Sequence, residues 1–130
     1  MTFLDTSVII DYLDDVAHAV TFVDDQDTLR TSAICVYEVL EGEVFGPGQT
    51  DIYDTRRAFS RVQSVEFDET IAMEATRLQD DMHADGDALA ARDMMIAATA
   101  RSIGDELVLT DSDFETAVLE DVMSVTNLRA

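Results

Sequence analysis

The chain has 130 residues, of which 47% are apolar, and 28 acidic residues against 8 basic ones give a formal net charge of −20. This length and apolar content exclude a disordered acidic tail and predict one domain over residues 1–130. No apolar run is long enough to cross a bilayer, no basic leader opens the sequence, and the single Cys35 cannot form an internal disulfide. We therefore expect a cytoplasmic protein without membrane contact.

Every basic residue is an arginine, and the chain contains no lysine. An acidic surface of this kind suits a salt-saturated cytoplasm, where the Debye length falls to about 3 Å at 1 M salt. The sequence therefore predicts an origin in a halophile, namely a halophilic archaeon. Most of the acids then solvate the surface, so their positions must identify the functional ones. Cys35 lies among apolar neighbours and is predicted to be a buried thiol.

Short apolar runs alternate with helical patterns along the chain. The predicted strands are residues 2–4, 29–31, 65–67, 106–109 and 122–126. The predicted helices are residues 8–13, 16–23, a helix capped by Ser32 through 44, 51–61, a helix capped by Asp68 and broken at Gly86, 87–102, and 114–119. This alternation predicts an α/β fold, with a mainly parallel central sheet flanked by helices on both faces.

Three acids occupy positions that surface solvation explains poorly. Asp5 and Asp111 each follow an apolar strand, and the binding crevice of an open α/β sheet lies outside such strand ends. Either could instead be a helix N-cap, because a helix follows both. Asp93 falls on the apolar stripe of the helix 87–102, where an isolated carboxylate would be costly. A shared cation would account for this position more economically than an arginine.

Converging carboxylates without nearby histidine or cysteine ligands suit hard cations such as Mg²⁺ or Mn²⁺. Such an ion polarises a phosphate oxygen and lowers the pKa of an attacking water. The sequence has no Walker loop, nucleophile elbow or Ser/His/Asp order. Phosphodiester hydrolysis is therefore the reaction class that these residues serve best.

Four segments resemble the motifs of the PIN-domain nucleases, specifically the VapC-type toxins of type II toxin–antitoxin systems. The segments are Phe3–Leu13, Thr31–Gly42 with Glu38 as its acid, Asp93–Ala100 followed by Gly104, and Asp111–Phe114. Their order and spacing agree with that family over essentially the whole chain. The first and third motifs are the specific ones.

The resemblance implies a metal-dependent endoribonuclease with Asp5, Glu38, Asp93 and Asp111 as catalytic residues that bind one or two Mg²⁺ or Mn²⁺ ions. Thr6 or Ser7 would orient the first acid, and Asp113 would either assist or cap a helix. The family commonly has a threonine two residues before the fourth acid, where this chain has Leu109.

The resemblance also implies a homodimer held inactive by a small VapB-like antitoxin, which relatives receive on the helical pair around residues 36–62. Arg56, Arg57 and Arg61 are candidate contacts for RNA or antitoxin. Surface pairing with nearby aspartates is the simpler interpretation. His83 is read as part of a solvated helix end, and His18 as lacking companions.

Three alternatives stay open at this point. One is a housekeeping PIN nuclease that processes RNA without an antitoxin, and another is a non-catalytic PIN-fold binding module. The third is a phosphoacceptor signalling domain, which would need a lysine that this chain lacks.

Overall fold

The computed structural model describes residues 1–110 and 116–129. Within those ranges, five strands form one sheet: β1 Thr2–Leu4, β2 Leu29–Ser32, β3 Val62–Val65, β4 Glu106–Leu109 and β5 Val125–Asn127. Seven helices occupy the same ranges: α1 Thr6–Leu13, α2 Ala17–Asp24, α3 Ala33–Phe45, α4 Ile52–Ala58, α5 Glu69–Ala84, α6 Ala91–Ser102 and α7 Thr116–Glu120. None of the helices described there is long and apolar enough to span a membrane.

The sheet has the strand order β3-β2-β1-β4-β5, and every neighbouring pair is parallel. The predicted α/β class with a parallel sheet is confirmed. The chain builds outward from β1 to one edge, then returns to add β4 and β5 on the other side. This reversal places a topological switch point between β1 and β4, where ligand crevices form in sheets of this kind.

The two strands at the switch point are buried on both faces. Successive strand residues point to opposite faces, yet Phe3 and Leu4 of β1 are at most 1% exposed. Leu107, Val108 and Leu109 of β4 are 0% exposed. Helices therefore cover both faces of the sheet centre, which gives its carboxyl edge a rigid support.

Several helix ends lie where the sequence predicts them. Ser32 caps α3 by accepting a hydrogen bond from the Ile34 N–H at 3.0 Å. Asp68 caps α5 by accepting from the Ile71 N–H at 2.9 Å. Gly86 follows the end of α5 with a φ of +78°, a conformation that favours glycine.

The fourth helix and the third strand depart from the prediction. The helix predicted to reach residue 61 ends at Ala58, and the strand predicted from residue 65 begins at Val62. The Arg56 guanidinium donates to the carbonyls of Phe59, at 3.0 Å, and Val62, at 2.9 Å. These bonds tie the chain into a turn directly after the helix, so the strand begins earlier.

The start of α6 was also predicted wrongly, at Asp87 rather than at Ala91. The Gln79 side chain accepts from the Leu89 N–H at 3.0 Å and donates to the Leu89 carbonyl at 2.6 Å. Leu89 is therefore held outside the helix by a residue of α5. As a consequence, Asp93 lies in the first turn of α6 and not in its middle.

The last strand, like α6, begins later in the sequence than predicted. The last strand begins at Val125 and not at residue 122, because the N–H groups of Val122 and Met123 donate to the Leu119 carbonyl at the end of α7. The predicted start of that helix, Phe114, lies outside the described residues.

Candidate active site

Asp5 lies at the carboxyl end of β1, at the switch point of the sheet. Its N–H donates to the Val108 carbonyl of β4 at 2.9 Å, so the two central strands fix the backbone of this residue. Asp5 is also the N-cap of α1, and its Oδ2 accepts from the N–H of Ser7 at 3.2 Å. Asp5 therefore caps a helix and also lies at the strand end where the sequence analysis expected a crevice.

The Asp5 carboxyl is buried, with 7% of the residue exposed. Burial raises its pKa, two hydrogen bonds from Ser7 lower it, and the negative charges of Asp93 and Glu38 raise it again. One of those bonds is donated by Ser7 Oγ to Oδ2 at 2.7 Å. Two of the other three predicted acids, Glu38 and Asp93, thus act electrostatically on Asp5.

Glu38 reaches this cluster from α3, with 17% of its side chain exposed. Its Oε1 accepts a hydrogen bond from Thr6 Oγ1 at 2.9 Å, and its Oε2 accepts from Arg92 at 3.0 Å. Of the two residues predicted as alternatives for orienting Asp5, Ser7 holds Asp5, whereas Thr6 holds Glu38. Arg92 is not among the residues that the sequence singled out.

Asp93 enters from the first turn of α6 and is partly exposed. The surrounding helix is buried on most sides and not along one stripe, with Met94, Ile96, Ala97 and Ala98 all in the core. The positive end of a helix dipole favours a carboxylate in the first turn. The cost of placing Asp93 here is therefore smaller than its expected mid-helix position implied.

Cys35 lies beneath the acids and is 0% exposed. Burial raises the pKa of its thiol to about 11, and the negative charge of Asp5 adds to this shift. The thiol consequently stays protonated at neutral pH and offers no thiolate to a metal ion. The prediction of a buried core cysteine is confirmed.

A family model of the PIN domain matches residues 2–118. The chain belongs to the PIN-domain family. Among solved structures, FitAcB from Neisseria gonorrhoeae has a TM-score of 0.80 at 23% identity, covering 98% of this chain and 98% of that one. VapBC-5 from Mycobacterium tuberculosis, a member of the VapBC family of toxin–antitoxin systems, has a TM-score of 0.70 at 26% identity, covering 99% and 98%.

A third similar structure is VapC20 from Mycobacterium tuberculosis, described as a toxin that cleaves the Sarcin-Ricin loop. It has a TM-score of 0.63 at 18% identity and covers 90% of this chain and 95% of that one. Comparison with curated protein sequences gave no match. These likenesses agree with the PIN fold of the described residues.

The remaining predicted acids of this PIN domain, Asp111 and Asp113, lie outside the described residues. The segment that leads to them is described, and Ser7 anchors it by accepting a hydrogen bond from the Thr110 N–H at 3.0 Å. Ser7 Oγ therefore links the Asp5 carboxylate to the chain just before Asp111. The Thr110 hydroxyl donates to Asp11 at 3.0 Å, and Leu109 is in the core.

The donor set of this PIN domain suits a hard cation, since it consists of carboxylate oxygens without thiolate or imidazole. Within residues 1–110 and 116–129, however, no three His, Cys, Asp or Glu side chains are placed so that they could hold a metal ion. Both Glu38 oxygens are engaged by Thr6 and Arg92. The chemistry of the carboxylates fits Mg²⁺ or Mn²⁺.

The three candidate RNA-contacting arginines have partners within the protein. Arg57 pairs with Asp54 on the surface of α4, as the simpler interpretation expected. Arg56 bonds to backbone carbonyls and lies over the Phe59 ring, with 4.6 Å from its guanidinium carbon to the ring centre. Arg61 donates to the Gln26 carbonyl at 2.9 Å. None of these bonds reaches the three clustered acids.

The two histidines lie away from the acid cluster. His18 Nε2 is 3.5 Å from Asp11 Oδ2, so the expectation that His18 lacks companions was wrong. His83 is exposed in the last turn of α5, as expected for a solvated helix end.

Proposed function

We propose that this PIN domain, as one domain over residues 1–130, is a metal-dependent endoribonuclease and the toxin of a VapBC-type pair. The observation that supports it most is the position of Asp5 at the switch point of the sheet, where the negative charges of Glu38 and Asp93 act on its buried carboxyl. A buried carboxylate whose ionised form is opposed by neighbouring negative charges is poised to bind a cation.

Asp5, Glu38, Asp93 and Asp111 would together hold one or two Mg²⁺ or Mn²⁺ ions. A divalent ion held by carboxylates polarises a phosphodiester and acidifies a water molecule. The protein itself supplies rigid carboxylates, because Ser7 fixes Asp5 at the end of a buried strand and Thr6 fixes Glu38. Rigid side chains of this kind can orient the attacking water and the phosphodiester relative to each other.

RNA is the proposed substrate because a structure similar to this chain, VapC20, is described as cleaving the Sarcin-Ricin loop, which is RNA. The net charge of −20 repels a polyanion at ordinary salt, since the Debye length there is about 10 Å. At molar salt that repulsion is screened. The proposal therefore includes a salt-rich cytoplasm, as in a halophilic archaeon, as the working environment.

An antitoxin partner is supported by the surface beside the site. Large apolar side chains on α3 and α4 are exposed: Tyr37 at 62%, Val44 at 54%, Phe45 at 81%, Ile52 at 36% and Tyr53 at 72%. Apolar side chains grouped on a helical pair mark an interaction surface. We assign this surface to a VapB-like antitoxin, and homodimerisation stays a proposal that rests on the family resemblance alone.

The test is expression in a halophilic host. Wild-type protein should arrest growth and leave new 5′ ends in cellular RNA, whereas Asp93→Asn should do neither. The matched control is Asp81→Asn, which removes the same charge from an exposed position on α5. Co-expression of a short neighbouring reading frame should restore growth. Growth arrest by Asp93→Asn equal to that by the wild type would contradict the proposal.

A further inference from the structure

Arg92 places a protein cation on one of the proposed metal-binding acids. It precedes Asp93 in the first turn of α6, and its Nη1 is 3.0 Å from Glu38 Oε2. Thr6 occupies the other oxygen of that carboxylate. The pair joins residues that are 54 positions apart in the sequence, so it is made by the packing of α3 against α6.

The other arginines with acidic partners in the described chain lie elsewhere. Arg57 and Arg77 pair with acids three residues away on their own helices. Arg30 pairs with Asp105, Arg61 with Asp24, and Arg101 with Glu74. Arg92 is thus the guanidinium that the described structure directs at the acid cluster. Its pKa is raised by the hydrogen bond to Glu38 and by the charge of Glu41, so it stays positively charged throughout.

A divalent ion and the Arg92 guanidinium compete for Glu38 Oε2, because two cations on one oxygen repel each other. Arg92 is able to leave, since 59% of its side chain is exposed and no core packing would be lost. Guanidinium groups bind phosphate oxygens through paired hydrogen bonds. Once Arg92 has left Glu38, its guanidinium would lie next to a phosphate of an RNA bound at the acid cluster.

We propose that Arg92 has two positions: it neutralises Glu38 while the ion site is empty, and it binds an RNA phosphate once a divalent ion takes Glu38. This inference rests on the function proposed above. It makes Arg92 a gate between ion binding and substrate binding. If the Arg92–Glu38 pair were purely structural, it would persist both with and without a bound divalent ion.

The test compares Arg92→Gln with Arg77→Gln, which removes the same charge from an exposed arginine on α5. Mn²⁺ binding without RNA is measured by isothermal titration calorimetry. RNA binding is measured by fluorescence anisotropy with a cleavage-resistant phosphorothioate RNA and saturating Mn²⁺, over a series of KCl concentrations. Arg92→Lys, which keeps the charge but loses the paired hydrogen bonds, should give intermediate RNA affinity.

Arg92→Gln should bind Mn²⁺ about threefold more tightly than Arg77→Gln, because an exposed competing ion pair has been removed. It should bind RNA about tenfold more weakly, as expected for the loss of a charge-assisted hydrogen bond to phosphate. The slope of log affinity against log salt should fall by about 0.7, the value for one phosphate contact on a single strand.

Weaker Mn²⁺ binding by Arg92→Gln, or RNA binding equal to that of Arg77→Gln, would overturn the two-position inference while leaving the nuclease proposal intact. If the wild-type protein bound neither Mn²⁺ nor RNA, both proposals would be wrong.

Discussion

Asp5→Asn should stabilise the ion-free fold, although it removes a proposed site residue. The Asp5 carboxylate is buried against the charges of Glu38 and Asp93, which makes its ionised form unfavourable in the folded protein. Asparagine is also a good N-cap, so its side-chain oxygen can still accept from Ser7. Relief of strain at a functional site is commonly worth about 1 kcal/mol, or about 3–5 °C in Tm for a chain of this size.

The pH dependence of this gain follows from the direction of the pKa shift. The Asp5 pKa in the folded protein lies above its ordinary value of 3.8, so the unfavourable charge is fully present above the folded pKa. As the pH falls through that pKa, the wild-type carboxyl becomes neutral. The advantage of Asp5→Asn should therefore diminish and be lost below pH 3.8.

Divalent ions should reverse the order of stability. Mn²⁺ bound only by the folded protein stabilises it by about 2.7 kcal/mol at a concentration of 100 Kd. Asp5→Asn should gain much less, because one ligand has lost its charge. The assay is thermal denaturation by circular dichroism in molar KCl, with chelator or with Mn²⁺. Asp81→Asn controls for the general relief of a net charge of −20.

Two results would contradict the proposed part of Asp5 in an ion site. One is an Asp5→Asn variant that is less stable than Asp81→Asn in chelator. The other is a Mn²⁺-induced rise in Tm as large in Asp5→Asn as in the wild type, which would show that Asp5 is not part of an ion site.

Three further predictions follow from the same contacts. Ser7→Ala, which removes the link between Asp5 and the Thr110 N–H, should lower Mn²⁺ affinity by about tenfold in calorimetry; an unchanged affinity would contradict the positioning role. Arg30→Met removes both guanidinium hydrogen bonds from Asp105, whose side chain is 1% exposed, and leaves it the Met1 amino group at 3.9 Å. The variant should lower the free energy of unfolding in urea by about 3 kcal/mol. A loss no larger than that of a surface pair, about 1 kcal/mol, would contradict it. Finally, Tm should rise from 0.1 M to 1 M KCl as the Debye length falls from about 10 Å to about 3 Å, and a flat or falling Tm would argue against salt adaptation.

The centre of the fold was predictable because its signals are local and strong. The strands Thr2–Leu4 and Glu106–Leu109 were predicted with their observed bounds, since runs buried on both faces are continuously apolar. The edge strand Val62–Val65 was misplaced because two of its residues, Gln63 and Ser64, are polar and exposed. An edge strand lacks the apolar pattern that identifies a central one.

In the candidate site, too, some features could be recognised from the local sequence, whereas others depend on tertiary packing. Asp5 could be singled out from its place after a strand. Asp93 was singled out for a mid-helix place on an apolar stripe, whereas it lies in the first turn of α6. The Arg92–Glu38 pair could not be singled out, because it depends on how α3 and α6 pack. The division between Thr6 and Ser7 depends likewise on the tertiary position of Glu38. The roles of Asp111 and Asp113, outside the described residues, stay predictions.

The proposed function requires that the acid cluster cut RNA with a divalent ion. The direct measurement is cleavage of a 5′-labelled RNA by purified protein in molar KCl, with Mg²⁺ or Mn²⁺ and with excess chelator, for the wild type, Asp93→Asn and Asp81→Asn. Internal cuts are expected from the wild type and Asp81→Asn with either ion, and none in chelator or from Asp93→Asn. Full cleavage in chelator, or by Asp93→Asn, would contradict it.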